Sequence, residues 1–285
     1  MTINKSVLTS IYAIYSGLRK SLLLVAVFLP LSCSDWPANN ILSGIDVELW
    51  YQQQELSCGQ SVERDTLNWS IDQLAFFISD LRLLQAEKEV PLILSTTDSQ
   101  SDNIALIRFT RQDCVMDNLA STSVKKEDGS QALFKRVQFV QPVQLNDDSH
   151  LRFTLGLPFE VNHLNPLSQP SPLNMPSMFW SWRGGHKFLR LDMAAEGQAW
   201  DFHLGSTGCV SASAMRAPQA ACINPNTMQL TLDKHEHGER LVIHLDKLLQ
   251  GLELNNKSSC LMQPDKASCQ QLMANLANNQ VFEWR

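Results

Sequence analysis

The stretch SPLNMPSMFWSWRGGHKF, residues 171–188, combines two indoles with a histidine. Trp180 and Trp182 lie one residue apart, and His186 follows a Gly–Gly pair. An intact indole only donates a hydrogen bond and is a poor metal ligand. On a strand, both indoles point to one face, where they present an electron-rich surface or form half of a hydrophobic core.

Two further histidines flank this stretch. His163 lies in a proline-rich segment, residues 158–176, and His203 precedes the sequence LGSTG. Because imidazole nitrogens bind transition metals, His163, His203 and His186 are candidate metal ligands. Each also has an ordinary alternative: a hydrogen-bonded loop residue for His163, a partner for backbone N–H groups for His203, and a strand residue for His186.

Other polar residues point less clearly to a site. Residues 235–237 (HEH) precede a glycine between two strand-like runs and predict a solvated hairpin tip. Ser206 lacks the Gly-x-Ser-x-Gly pattern of a hydrolase nucleophile, so turn chemistry explains it better. Asp80, Asp192 and Asp201 are candidates for a carboxylate pair, but the sequence does not fix their separation.

The first residues predict export. Positive residues precede the apolar run LLLVAVFLPL at 22–31, which is too short for a membrane span but suits a signal peptide. The run ends before Cys33, so residues 1–32 are predicted as a lipoprotein-type signal peptide and Cys33 as the lipidated residue. Pro30 departs from the usual pattern, which leaves simple secretion as the alternative. We expect a protein of the periplasm or the outer membrane, held to the membrane through the lipid anchor only. Ser34 favours the outer membrane, because aspartate at this position would signal retention at the inner membrane.

Six cysteines remain after Cys33, and an even number in an oxidising compartment favours disulfides. No pair has the two-residue spacing of a structural zinc site. Proximity in sequence predicts Cys209–Cys222 and Cys260–Cys269, and elimination then predicts Cys58–Cys114.

Short strand-like runs with turn residues between them predict an all-β protein, an antiparallel β-sandwich with long loops. Residues 33–285 are predicted as a single domain. A net charge of −6 and the absence of a basic run exclude nucleic acid as a plausible partner. The predicted strands are 45–51, 74–84, 104–109, 137–143, 151–157, 186–193, 199–204, 228–232 and 241–245, and the predicted helices are 245–249 and 269–277.

A series of motifs resembles one family over most of the exported chain. In order, these are LGLP with a following Asn-His, SPLN, MFWSW, GHKF, HLGSTGC, a second cysteine and NPN. They resemble the four-Cys metallo-mystery pair family of MbnP-like exported copper-binding proteins. The resemblance implies a β-rich copper protein paired with a di-haem cytochrome c peroxidase-like (MauG-like) partner, which oxidises a tryptophan to kynurenine. Trp180 and Trp182 match the oxidisable indole, and His163 and His203 match imidazole ligands.

One departure from the family concerns His186, which stands where an aromatic residue such as tyrosine is more usual.

The leading hypothesis from this resemblance is an exported copper-binding protein that is the substrate of its partner and is not itself an enzyme. The alternative is a redox-silent surface lipoprotein that binds carbohydrate or protein through exposed aromatic residues.

Overall fold

The computed structural model of this protein consists mainly of strands, and buried and less buried side chains alternate along several of them. The structure describes residues 41–57, 59–86, 88–111 and 135–285. The predicted lipidation site Cys33 and the predicted pair Cys58–Cys114 lie outside these residues. The described strands are β1 (Ile41–Tyr51), β2 (Gln54–Glu55), β3 (Val62–Arg64), β4 (Leu67–Gln85), β5 (Lys88–Pro91), β6 (Gln100–Ser101), β7 (Ile104–Thr110), β8 (Arg136–Gln144), β9 (Ser149–Leu155), β10 (Phe179–Ser181), β11 (Gly185–Ala195), β12 (Gln198–Gly205), β13 (Met228–Asp233), β14 (Arg240–His244) and β15 (Phe282–Trp284).

These strands form two sheets. The smaller sheet has the order β15-β14-β1-β2, with β8 also paired to β1. The larger sheet is built around the long strand β4, which pairs with β11, β7 and β9, and β12 extends it beyond β11. Phe282 of the smaller sheet packs edge-to-face against Phe76 and Phe153 of the larger one, with ring centroids 5.8 and 5.6 Å apart. The core therefore lies between the sheets, as in a β-sandwich.

The β-sandwich prediction is confirmed, and each strand predicted from the sequence corresponds to an observed one. Two details differ. β1 and β14 run parallel, because strands so far apart in sequence are not constrained by a hairpin. Residues 235–237 form a turn, but β13 and β14 belong to different sheets, so this turn crosses between sheets and is not a hairpin tip.

The helices that lie within residues 135–285 are short and are not part of the sheets. They are α1 (Phe159–Asn162), α2 (Leu245–Leu248) and α3 (Ala267–Ala277). The two predicted helices correspond to α2 and α3, whereas α1 arises in the proline-rich segment. No helix among the described residues is long and apolar enough to cross a membrane.

The tryptophan stretch forms a tight hairpin. β10 ends at Ser181, and the chain turns through residues 182–184 before β11 begins at Gly185. The expectation that Trp180 and Trp182 share one face of a strand is wrong, because the turn begins before Trp182. Gly185 has a φ of +74°, and a Cβ atom there would lie 2.6 Å from the Asn162 amide oxygen, so glycine permits both the turn and this close approach.

Candidate metal centre

A polar cluster forms on the outer face of the larger sheet, where β11 and β12 pair. Arg190 lies opposite His203, and Asp192 lies opposite Asp201. Side chains two residues apart on a strand share a face, so this register brings all four to the same face. The residues between them, such as Leu191 and Phe202, are buried in the sandwich.

Hydrogen bonds connect the members of this cluster. His203 Nε2 lies 2.7 Å from Asp192 Oδ1, and the Arg190 guanidinium donates to Asp192 Oδ2 through Nε at 2.7 Å. Donor atoms of Asp192, Asp201 and His203 all lie within 4.8 Å of one another. Arg190 thus orients Asp192 so that its other oxygen faces the imidazole.

The two carboxylates titrate in opposite directions. Burial acts to raise the pKa of Asp192, but the hydrogen bonds from His203 and Arg190 outweigh it and hold that pKa below its usual value. Burial and the nearby charge of Asp192 raise the pKa of Asp201. As the pH falls, Asp201 therefore takes up a proton before Asp192 does.

Trp180 lies at the edge of this cluster. Its side chain is 36% exposed, and its ring centroid lies 6.4 Å from that of His203. The indole packs on the backbone of Gly205, where a Cβ atom would approach it to 2.7 Å. The Lys187 ammonium lies 6.0 Å from the centre of the ring. Trp180 is thus an exposed residue beside the imidazole and is not part of the core.

The donor set of this cluster fits a divalent metal ion. It offers one imidazole nitrogen and carboxylate oxygens from Asp192 and Asp201, the ligand types that suit copper(II) and other divalent transition metals. A bound cation would displace the hydrogen bond between His203 and Asp192. Arg190 would then act from outside the ligand set, as hydrogen-bond donors to ligating carboxylates do.

His163 occupies a second, buried cluster. Its side chain is only 4% exposed, and its Nδ1 lies 3.2 Å from the carbonyl oxygen of Trp182. Its Nε2 lies 3.2 Å from the Asn162 amide nitrogen and 3.5 Å from Cys222 Sγ. The disulfide Cys209–Cys222 is formed, so these sulfur atoms are not thiolates. Burial lowers the pKa of His163, which keeps the ring neutral.

His186 lies deeper still and is fully buried. Its Nδ1 lies 2.7 Å from the carbonyl oxygen of Asn162, and its Nε2 lies 2.9 Å from that of Leu173. Burial lowers its pKa despite these two carbonyl groups. Both ring nitrogens face backbone carbonyl oxygens, and a neutral ring donates to one of them, so the contacts favour a structural role; that His186 binds a metal stays a prediction.

The predicted site residues therefore lie in different clusters. His163 and His203 fall in separate groups of donor atoms, and Trp182 contacts His163 through its carbonyl group, not its indole. Their convergence on one copper ion stays a prediction. The sequence did not reveal that Asp192 and Asp201 join His203, although the alternation in LRLD and WDFH carries that signal once the register is known.

Other candidates are explained by local contacts. Asp80 forms an ion pair with Arg82 at 2.8 Å and does not join Asp192 and Asp201. Ser206 donates to the Pro225 carbonyl oxygen and accepts from the Asn162 amide. Both predicted short-range disulfides, Cys209–Cys222 and Cys260–Cys269, are present.

The fold and this cluster define a disulfide-stabilised β-sandwich with a histidine–carboxylate centre beside an exposed tryptophan. The MbnP family model matches residues 44–263, so the chain belongs to the MbnP family. Among solved structures, MbnP from Methylosinus trichosporium is similar in fold: the TM-score is 0.65 at 19% sequence identity, over 81% of this chain and 86% of that one. No curated protein matches the sequence. Family membership and the disulfides indicate an exported protein of the metallo-mystery type.

Proposed function

We propose that this protein binds copper outside the cytoplasm and that oxidation of Trp180 by a di-haem partner completes its metal centre. His203, Asp192 and Asp201 supply the remaining ligands. The observation that carries the proposal is the position of Trp180, exposed to a large partner and 6.4 Å from the His203 ring. Family membership supports a metal-binding role, and the mixed imidazole and carboxylate set supports copper(II) over copper(I).

The tryptophans differ in accessibility, which is why Trp180 is the proposed substrate. Trp69, Trp200 and Trp284 are fully buried in the core. Trp182 lies in the turn beside His163. The neighbour of that histidine is the disulfide, and the carboxylates Asp192 and Asp201 belong to the other cluster. An oxidant held by another protein reaches an exposed indole far more readily than a buried one.

The proposed reaction opens the indole ring. The C2–C3 bond breaks, and each of its carbons gains an oxygen atom. Two molecules of hydrogen peroxide supply these atoms and leave as water, with the di-haem partner as catalyst. Hydrolysis of the resulting formamide releases formate and leaves the aryl amine of kynurenine. The chain is the substrate in this sequence of steps and not the enzyme.

Mass spectrometry of the protein produced with and without the di-haem partner tests this proposal. We expect a gain of about 4 Da on the peptide that contains Trp180, and tighter copper binding in the modified protein. Trp180→Phe removes both effects, whereas the matched variant Trp182→Phe retains them. An unmodified mass in the presence of an active partner and peroxide would overturn the proposal and favour the alternative of a redox-silent surface protein that binds carbohydrate or protein.

The location of the protein is a separate part of this proposal. We propose that residue Cys33 is lipidated and holds the protein at the outer membrane. The variant Cys33→Ser should then move from the membrane fraction to the soluble exported fraction, and its copper binding should be unchanged. Retention of the variant in the membrane fraction would contradict the anchor.

A further inference from the structure

We propose that reduction of the Cys209–Cys222 disulfide uncovers a second metal site, which binds a soft or borderline cation such as zinc(II) or copper(I). Its ligands are the two thiolates and His163. The side-chain donor atoms of these three residues all lie within 4.8 Å of one another. His163 Nε2 lies only 3.5 Å from Cys222 Sγ, so the imidazole already faces the sulfur. Two thiolates and an imidazole are a donor set of zinc sites.

The imidazole is oriented as a metal ligand usually is. Nδ1 donates to the Trp182 carbonyl oxygen, which fixes the tautomer and leaves the lone pair of Nε2 as an acceptor. That lone pair now accepts from the Asn162 amide nitrogen at 3.2 Å. The Phe159 ring packs against His163 with 5.3 Å between the ring centroids. A cation would therefore meet a ligand whose rotation is already restricted.

The backbone holds the two sulfur atoms near each other independently of the S–S bond. Thr207 and Asn224 exchange backbone hydrogen bonds of 2.9 and 3.0 Å, and the Ile223 N–H donates to the Gly208 carbonyl oxygen at 3.3 Å. The Asn224 side chain also donates to Thr207 Oγ1. These bonds close the loop that begins at Cys209 and ends at Cys222, so the thiols stay close after reduction, and little chain entropy is lost when they bind a cation.

The disulfide is partly exposed on the Cys209 side, whereas Cys222 is buried. Cys209 is half-buried, and its neighbour Val210 and the Cys222 neighbour Ile223 are 78% and 77% exposed. A small thiol can therefore attack the disulfide: two reductant thiols give up two electrons and two protons, forming their own disulfide and two cysteine thiols. A divalent cation then replaces the two thiol protons. Three protein ligands leave the fourth position of a tetrahedral ion to water or another ligand.

The second disulfide provides an internal comparison. Cys260 and Cys269 do not belong to any group of three donor residues in the described chain, and the contact made by Cys269 Sγ is with the Gln263 amide. Reduction of this pair supplies thiols without an imidazole. The proposed site therefore depends on His163 and not simply on free thiols.

Cobalt(II) and zinc(II) titrations test the site in protein made without the di-haem partner. The protein is reduced with a phosphine under anaerobic conditions, and alkylation with peptide mass spectrometry verifies the free thiols at 209 and 222. We expect the protein to bind one cobalt ion, with a thiolate charge-transfer band in the near ultraviolet. Zinc should displace the cobalt ion and abolish this band. His163→Gln should weaken cobalt binding about tenfold or more with the same thiols exposed, whereas His150→Gln, on the exposed ion pair with Asp233, should not.

The outcomes separate this site from the copper centre. Equal cobalt affinity in His163→Gln and the parent would overturn the proposal, because thiols alone would then account for binding. So would weakening by His203→Ala of equal size, which would move the signal to the carboxylate cluster. Failure to reduce the 209–222 disulfide while the protein remains folded by circular dichroism would also overturn it. None of these results depends on tryptophan oxidation.

Discussion

The two histidine clusters of this protein, around His163 and around His203, differ in chemistry. The cluster of His203, Asp192 and Asp201 is half-buried on the outer face of a sheet and offers nitrogen and oxygen donors. The cluster of His163 is buried against a disulfide and held by hydrogen bonds to the chain around it. We call the first the open cluster, because its side chains are partly exposed to solvent. We call the second the buried cluster, because His163 is buried and its sulfur neighbours are bonded to each other.

This contrast teaches that histidine count does not define a metal centre. His163, His186 and His203 are separated by what their second ring nitrogen and their neighbours do. Both nitrogens of His186 face backbone carbonyl oxygens, and His163 faces sulfur. Of these three histidines, only His203 belongs to a group with two carboxylates, whose donor atoms all lie within 4.8 Å of one another.

The strongest test of the comparison is copper binding to the protein with its disulfides intact. His203→Ala removes the imidazole of the open cluster, so we expect copper affinity to fall about 10- to 100-fold. His163→Ala should leave the affinity within about twofold, because that ring faces a closed disulfide. Titration against a competing chelator measures both. Equal losses in the two variants would mean that both imidazoles bind one ion, as the sequence alone suggested.

The next largest effect is on stability and involves Asn162, which connects the buried cluster. Its amide donates to His163 Nε2 and Ser206 Oγ, and its oxygen accepts from the His186 backbone N–H at 2.8 Å. Asn162→Ala orphans these buried groups, so the free energy of unfolding should fall by about 2–4 kcal/mol.

The matched change in the open cluster is Asp201→Asn, which keeps the shape of the side chain. We expect it to alter the free energy of unfolding by less than about 1 kcal/mol, since the Asp201 carboxylate carries a raised pKa and is not strongly stabilised as a charge. Urea denaturation of both variants provides the measurement. Similar losses would show that the open cluster is as structural as the buried one.

Local patterns in the sequence were sufficient for the elements but not for the clusters. Alternation in LRLDM and WDFHL predicted β11 and β12, and short separations predicted both disulfides. The register that pairs Asp192 with Asp201 is set by the two-residue turn at residues 196–197 between β11 and β12, a local signal that the alternation alone did not use. Likewise, the early turn after Ser181 moved Trp182 off the strand and gave its carbonyl group to His163.

The smallest expected effect concerns pH and separates the clusters by their protons. Burial lowers the pKa values of His163 and His186 from the ordinary 6.5. The unfolded chain therefore binds more protons than the folded one below about pH 6.5, so the free energy of unfolding is largest above that pH and falls on acidification. The low pKa of Asp192 acts only at a lower pH, below its ordinary value of 3.8.

Urea denaturation between about pH 7.5 and 5.5 measures this dependence. We expect a loss of about 1 kcal/mol over that range, shared by the two buried histidines. His186→Gln should reduce the slope because one of the two buried imidazoles with a lowered pKa is gone. A parent protein whose stability is flat over this range would contradict the lowered pKa values. It would imply that the carbonyl oxygens of Asn162 and Leu173 hold His186 as a doubly donating imidazolium, with its charge compensated in spite of burial.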